Sequence, residues 1–232
     1  MGKTPLRLLP GLLCDEILWA YQVASLVDLA DISIAGLTRD DEIEAMAART
    51  PSEAPESFAL AGLSMGSYVA QEIMRQAPER VTRLALLDTS ALADSAEQRE
   101  RRTSFIGQTQ KGKFKSVTSC LLPMFTHENR LDDAELTGKI MTMAVNIGKE
   151  AFIRQQHAIM NRKDGFDVLA CVSCPTVVIC GRQDNLTPLA QHQAMVDAIP
   201  DAILVAIEDS GHLSPIEQPH AVSAALRYWL QV

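Results

Sequence analysis

Short apolar runs, each closed by a glycine or a polar turn, recur along most of the chain. Six of them are four to six residues long and almost entirely apolar: Leu6–Leu9, Asp31–Ala35, Phe58–Ala61, Arg83–Leu87, Thr176–Cys180 and Ala202–Ile207. Runs of this length and composition are typical of strands that are buried on both faces. The pattern therefore predicts six strands at the centre of the protein.

Stretches of helical length separate most of these runs and close the chain. They are Trp19–Val27, Asp41–Arg49, Ser67–Gln76, Pro188–Ile199 and Gln218–Gln231. Alternation of strands and helices predicts a parallel sheet with right-handed crossovers and helices on both faces. We therefore expect an α/β fold whose sheet of about six strands is mostly or wholly parallel.

One block between the fourth and fifth predicted strands breaks this alternation. From Ala91 to Gly165 no strand is evident, and four helical patterns occur instead, at Gln98–Thr109, Lys113–Leu122, Asp133–Ile147 and Lys149–Asn161. An all-helical insertion between two strands of a parallel sheet indicates a lid over the sheet edge. We predict a core formed by residues 1–90 and 166–232, with a helical lid, or cap, at residues 91–165.

The turn after the third predicted strand carries the clearest chemical signal. Gly62-Leu63-Ser64-Met65-Gly66 fits the pattern G-x-S-x-G and stands between a strand and a helical stretch. This strand–turn–helix context is what a nucleophile elbow requires, with the serine at the tip of the turn. Ser64 is therefore the predicted nucleophile. The backbone N–H of Met65 lies at the helix start and can stabilise an oxyanion.

A serine nucleophile needs a general base, and the base needs an acid. Of the five histidines, only His212 directly follows a late predicted strand, which places it at the same sheet edge as Ser64. Asp184 follows the strand before that one and is the favoured acid. Asp88 also ends a strand and is the rival candidate.

Several of these motifs together resemble the α/β-hydrolase superfamily, close in style to small esterases, enol-lactonases and meta-cleavage-product hydrolases. The residues that carry the resemblance are Gly62–Gly66, Gly181–Asp184, Ser210–His212, Pro215–Pro219, and the opening Leu8–Asp15 with Trp19. The resemblance covers nearly the whole chain outside the lid. It implies the triad order Ser64, Asp184, His212, and an oxyanion hole in which the N–H of Leu12 joins that of Met65.

The chain departs from the family pattern in two places. Pro10 stands where a histidine usually precedes Gly11, so the usual hydrogen bonds that support the oxyanion loop are not expected. The first two strands of the family are absent from this sequence, so the sheet is expected to be wholly parallel with six strands.

Composition narrows the classes of partner and cofactor. The 232 residues fit one α/β domain, and 21 basic against 29 acidic residues give a net charge of −8, which argues against nucleic acid as partner. No apolar run approaches the roughly 20 residues of a membrane span, and no signal-peptide pattern is present, so no membrane association and a cytoplasmic location are expected. The five cysteines read as free thiols, and the single pair Cys171 and Cys174 is a weak zinc signal. We expect neither a metal nor a cofactor.

The predicted reaction is hydrolysis of a small ester, lactone or thioester through an acyl-enzyme. The same triad also fits hydrolysis of a carbon–carbon bond in a vinylogous diketone, or a hydroxynitrile lyase. A ligand receptor with vestigial turnover is the alternative from another class, since fold alone does not separate these functions.

The substrate pocket is less well defined by the sequence. Five apolar residues near the expected mouth or in the lid favour a substrate with an apolar acyl or alkyl group: Leu13, Trp19, Met124, Phe125 and Leu213. The lid carries 12 Lys or Arg against 9 Asp or Glu, a balance of +3 in an acidic chain. Its basic residues cluster at Arg99, Arg101 and Arg102, at Lys111, Lys113 and Lys115, and at Arg162 and Lys163. These basic residues belong either to a solvated helical face or to a rim of the cleft. A basic rim would attract an anionic substrate or an acidic acyl-carrier partner.

Overall fold

Six parallel strands form a single sheet at the centre of the computed structural model, which describes residues 2–232. They are β1 Thr4–Leu9, β2 Ala30–Ile34, β3 Phe58–Leu63, β4 Val81–Leu87, β5 Thr176–Gly181 and β6 Ile203–Ile207. Their order across the sheet is β2-β1-β3-β4-β5-β6, and every neighbouring pair is parallel. The central strands β3 and β5 are buried at every position because helices cover both faces. The predicted six-stranded parallel sheet is confirmed.

Ten α-helices accompany the sheet within residues 2–232. They are α1 Ala20–Leu26, α2 Ile43–Ser52, α3 Met65–Gln76, α4 Ala96–Gln110, α5 Phe114–Phe125, α6 Ala134–Asn161, α7 Phe166–Leu169, α8 Leu189–Ala198, α9 Ser214–Glu217 and α10 Pro219–Gln231. The predicted helical stretches match these bounds to within a few residues. In the described chain, no helix combines the length and apolar character needed to cross a membrane.

Residues 91–165, hereafter the helical insertion, connect β4 to β5 through α4, α5 and α6. A capping box at Ser95 and Gln98 fixes the start of α4, and the Asp133 carboxylate accepts the first free N–H groups of α6. Gly148 has φ 76° and ψ 169°, which is not a helical conformation, so α6 consists of two helical pieces. The break falls at the boundary between the two helical patterns seen in the sequence, where glycine adopts a positive φ at no steric cost.

The strand order places a crevice at the carboxyl edge of β1 and β3. After β1 the chain moves outward to β2, and it then crosses back to β3 on the other side of β1. The loops that follow β1 and β3 therefore leave the sheet in opposite directions. Ligand sites of open α/β sheets lie at such a switch point.

Candidate active site

The turn between β3 and α3 holds Ser64 in a strained backbone conformation. Ser64 has φ 51° and ψ −112°, outside the regions that residues with a Cβ atom normally occupy. The strained peptide is fixed by two hydrogen bonds, from the Ser64 N–H to the Leu87 carbonyl (2.9 Å) and from Thr89 Oγ1 to the Ser64 carbonyl (3.1 Å). Strain of this kind persists only where the surrounding structure enforces it.

The two glycines of the motif are required by close backbone packing. A Cβ atom placed on Gly62 would lie 2.5 Å from the Gly66 carbonyl, and one placed on Gly66 would overlap the carbonyl oxygen of Leu9. The start of α3 therefore contacts both its own strand β3 and the end of the neighbouring strand β1. This contact brings Ser64 beside the loop that follows β1.

His212 lies within hydrogen-bond distance of Ser64 in the structure. Its Nε2 is 2.8 Å from Ser64 Oγ, and its Nδ1 is 2.7 Å from Asp184 Oδ2. The backbone N–H of His212 donates to the Phe125 carbonyl (3.1 Å), and the Phe125 ring stacks on the imidazole with centroids 5.9 Å apart. Residues of the helical insertion therefore help to hold His212 in place.

The loops after β5 and β6 bring Asp184 to His212. A Cβ atom on Gly181 would overlap the Gly211 carbonyl, so the two loops approach as closely as glycine allows. Asp184 Oδ1 accepts the N–H groups of Leu186 (2.8 Å) and Thr187 (3.1 Å), and Oδ2 accepts the Thr187 hydroxyl as well as His212. The carboxylate is thus saturated with donors and cannot rotate away from the imidazole.

Asp184 and His212 shift each other's ionisation. Burial by itself raises the pKa of Asp184, but the charge and hydrogen bond of His212, with the Thr187 donors, outweigh it and hold that pKa below its ordinary value. Burial by itself lowers the pKa of His212, but Asp184 outweighs this effect, so the pKa of His212 is raised. The arrangement stabilises a protonated imidazole next to Ser64.

Asp88, the rival acid, has other partners. Its Oδ1 accepts the Gly181 N–H (2.7 Å), and its Oδ2 accepts the N–H and hydroxyl of Ser214. It is fully buried, and burial together with the charge of Asp184 raises its pKa to about 8. Asp88 therefore joins the end of β5 to the start of α9, whereas the aspartate in contact with the His212 ring is Asp184.

The backbone groups expected to form an oxyanion hole come from two elements. Met65 is the first residue of α3, where an N–H has no acceptor within its own helix. Leu12 lies in the loop after β1, in which Cys14 N–H donates to the Gly11 carbonyl and Leu13 adopts φ 60°. This loop and the N-terminus of α3 both border the crevice at the switch point.

Gln155 on α6 supports the loop after β1, and sequence reasoning missed it. Its Oε1 accepts the Leu13 N–H (3.2 Å), and its Nε2 donates to the Leu37 carbonyl (3.0 Å). Gln155 is fully buried. This amide supports a loop in which Pro10 stands where the resemblance predicts a histidine. No local signal marks Gln155, because 142 residues separate it from Leu13.

A cleft of about 480 Å³ opens above Ser64 and His212, and both the sheet edge and the helical insertion line it. Of the predicted pocket residues, Met124 and Phe125 line this cleft, as does Leu12. Leu13 and Leu213 do not; they face a small separate cavity against α6. Trp19 is fully buried in the core, so the expectation that it lines the pocket is wrong.

The structure divides the basic residues of the helical insertion into two groups. Three arginines line the cleft: Arg101, Arg102 and Arg162. The other basic residues do not line it. Lys111, Lys113 and Lys115 are exposed near the turn between α4 and α5, Arg99 is exposed on α4, and Lys163 pairs with Glu44 at 3.0 Å.

Within residues 2–232 no group of three or more His, Cys, Asp or Glu side chains is arranged to hold a metal ion. The five cysteines are all free thiols. Cys171 is exposed and Cys174 is half-buried.

Comparison with known proteins shows which family this chain resembles in sequence and fold. Residues 54–219 match a family model described as alpha/beta hydrolase fold. A thermophilic esterase from Thermogutta terrifontis, solved with malate bound, has a TM-score of 0.91 and 30% sequence identity, over 100% of this chain and 91% of that chain.

Two curated relatives match a shorter part of the chain. The protein BpoC of Mycobacterium tuberculosis, whose name describes a non-heme bromoperoxidase, is 27% identical over 169 residues, which cover 71% of this chain and 64% of that protein. The 3-oxoadipate enol-lactonase 2 of Acinetobacter baylyi is 26% identical over 170 residues, covering 72% and 62% respectively. The match therefore spans less than two thirds of the length of either relative.

Proposed function

Since the chain belongs to the α/β-hydrolase family, we propose that it is a serine hydrolase that cleaves a small ester, lactone or thioester through an acyl-enzyme. The observation that carries this proposal is the pair of hydrogen bonds that links Ser64 Oγ to His212 (2.8 Å) and His212 to Asp184 (2.7 Å). A nucleophile, a base and an acid in this order are what acyl transfer requires. The esterase and the enol-lactonase among its relatives support a carboxylic ester or lactone as substrate.

The proposed reaction uses each of these groups in turn. Ser64 Oγ attacks the carbonyl carbon and gives its proton to His212 Nε2, while Asp184 stabilises the imidazolium that forms. The N–H groups of Met65 and Leu12 stabilise the negative charge on the carbonyl oxygen. His212 then protonates the leaving alcohol or thiol. Water, deprotonated by His212, releases the acid from Ser64.

The helical insertion has the role of a lid in this proposal. It supplies Met124, Phe125 and the three arginines to the cleft, and the carbonyl of Phe125 binds the backbone of His212. An acidic carrier protein bearing a thioester would find its complementary charge in the exposed lysines at the turn between α4 and α5. That partner stays a prediction.

An activated ester tests the proposed function directly. Rapid mixing of the protein with p-nitrophenyl acetate is expected to release about one equivalent of p-nitrophenol in a burst, followed by slower steady turnover, because acylation by an activated ester is faster than hydrolysis of the acyl-enzyme. Mass spectrometry of the quenched protein should find the acetyl group on Ser64. A protein that binds the ester without forming an acyl-enzyme contradicts the proposal and favours the receptor alternative.

Loss of Gln155 is expected to slow the reaction without weakening substrate binding. Gln155→Leu removes the acceptor of the Leu13 N–H, so the adjoining Leu12 N–H loses its fixed position. We expect kcat to fall roughly ten- to hundredfold with KM nearly unchanged, which is less than the roughly 10²–10³-fold found for outright loss of one oxyanion donor, because the Leu12 N–H is displaced and not removed. Steady-state kinetics on a neutral ester measure both constants.

Arg154→Ala is the matched control for Gln155. Arg154 lies next to it on α6 and donates to the Thr38 carbonyl (2.9 Å), so the control also removes a hydrogen bond between the helical insertion and the core. It leaves the loop after β1 untouched, and its kcat is expected to stay within about threefold of the parent. Equal losses of kcat in the two variants would show that Gln155 acts only through general stability.

A further inference from the structure

The part of the cleft wall that belongs to the helical insertion is built around a buried ion cluster. Asp94 accepts hydrogen bonds from Arg102 Nε (2.7 Å) and Arg162 Nη1 (2.6 Å), and its side chain has no exposed surface. One carboxylate therefore fixes two guanidinium groups that line the cleft. A buried carboxylate that bridges two arginines in this way orders their side chains before a ligand arrives.

Arg162 has few donors left for a ligand. Its Nη1 binds Asp94 and the Ile159 carbonyl, its Nη2 donates to the Leu92 carbonyl (2.8 Å), and the guanidinium stacks on the Tyr68 ring at 4.1 Å from the centroid. The role of Arg162 is therefore to hold the cluster together.

Arg102 and Arg101 keep donors that face the cleft. Arg102 Nε binds Asp94, and its Nη1 donates to Gln156 Oε1 (2.9 Å), whereas its Nη2 has no partner among residues 2–232 and the side chain is 16% exposed. Arg101 is exposed on the same helix and lies in no ion pair of the described chain. Gln156 also lines the cleft, and its buried Nε2 has no partner within the described residues.

The charges of this wall do not cancel. Three arginines face two carboxylates, the buried Asp94 and the exposed Glu97 in the first turn of α4, so one positive charge is left over. Unpaired guanidinium donors, an unpaired amide donor and one surplus positive charge match the needs of a single carboxylate.

We propose that Arg101, Arg102 and Gln156 form a subsite for a carboxylate carried by the substrate. The compound cleaved at Ser64 is then a monoanion, such as the half-ester of a short dicarboxylic acid. This inference rests on the proposed hydrolase function. A cleft of about 480 Å³ has the size of an ordinary small-molecule site and accommodates both ends of such a compound.

Matched monoethyl esters test the subsite. The monoethyl esters of succinic, glutaric and adipic acid carry the carboxylate at three distances, their ω-amides are neutral compounds of equal size, and the alkyl leaving group keeps both series stable without enzyme. At one or more of these lengths, kcat/KM is expected to be at least tenfold higher for the anion than for the amide, as a charge-assisted hydrogen bond provides. In Arg102→Gln the value for the anion should fall at least tenfold, while that for the amide changes less than about threefold.

Two further variants control for folding and for general surface charge. Arg101→Gln removes an unpaired guanidinium without touching Asp94, and it is expected to lower the preference for the anion even if Arg102→Gln fails to fold. Arg99→Gln removes an exposed charge from the same helix outside the cleft, and it should leave the preference unchanged. An equal loss of preference in Arg99→Gln would assign the effect to the overall field of the helix and overturn the subsite.

A binding measurement separates failure of the subsite from failure of the hydrolase function. Calorimetry on the Ser64→Ala protein compares succinate, glutarate and adipate with their neutral diamides. Hydrolysis of both ester series without any preference for the anion overturns the subsite and leaves the hydrolase function standing. If no ester is hydrolysed but a diacid binds, and its binding depends on Arg101 or Arg102, the hydrolase function is overturned and the subsite is kept. Absence of both hydrolysis and binding overturns both.

Discussion

Replacement of Ser64 by alanine is expected to lower kcat by a factor on the order of 10⁴ or more, with the fold intact. The change removes the Oγ atom that forms the acyl-enzyme, so that only substrate binding and the oxyanion hole remain to act on a water molecule. The Ser64 side chain binds His212 and faces the cleft, so its loss removes little of the packing that stabilises the fold. Turnover of a neutral activated ester and the free energy of unfolding are the two measurements.

Ser67→Ala supplies the matched control from the same turn. The Ser67 hydroxyl donates to the Gly62 carbonyl (2.5 Å) and accepts the Leu87 N–H (3.2 Å) in the buried interior. Its removal leaves buried groups unpaired, which costs about 1–3 kcal/mol of stability. We expect Ser67→Ala to lose stability and keep turnover within about tenfold, the reverse of Ser64→Ala. Turnover of Ser64→Ala within tenfold of the parent would exclude Ser64 as the nucleophile.

Asp184→Asn is expected to lower kcat about 10⁴-fold, and Asp88→Asn less than about tenfold. The amide at position 184 favours the wrong tautomer of His212 and withdraws the charge that stabilises the imidazolium. Asp88 does not contact the imidazole and binds Gly181 and Ser214 instead, and burial raises its pKa, so an amide there affects His212 much less than one at position 184. Kinetics of both variants at pH 7 decide between the two aspartates. The reverse ranking would move the acid to Asp88.

The pH dependence of kcat/KM gives a second readout for Asp184. His212 acts as base only in its neutral form, and Asp184 raises the pKa of His212. Activity of the parent is therefore expected to fall as pH decreases through a pKa that lies above 6.5, the ordinary value for histidine. Asp184→Asn removes the raising influence but not the burial, so the midpoint of this fall should move to lower pH. A midpoint that stays in place would show that Asp184 does not set the ionisation of His212.

Local sequence was sufficient to predict the main elements of this protein. Apolar runs closed by glycine or a polar turn marked all six strands, and the break at Gly148 was visible as a boundary between two helical patterns. The glycines around Ser64 indicated the tight turn. These features depend on residues that are adjacent in the chain, because periodicity, turn geometry and steric exclusion act over a few positions.

Contacts between distant residues were decided only by the tertiary structure. Asp88 and Asp184 both end strands of the sheet, and only the close approach of the loops at Gly181 and Gly211 brings Asp184 to the imidazole. The sequence predicts Trp19 as a pocket residue, but in the structure it is buried in the core. The order of the strands and the crossovers between them set these contacts.

The helical insertion shows most clearly that local sequence does not determine contacts between distant residues. Its basic residues form similar clusters in the sequence, yet in the structure Arg101, Arg102 and Arg162 line the cleft, while Arg99 and the lysines lie outside it. Gln155 reaches a loop 142 residues away, and its neighbour Gln156 reaches Arg102 on another helix. Helical periodicity determines which residues share a face of one helix. The face that meets the cleft is decided by the packing of three helices against one another and against the sheet, which no local pattern encodes.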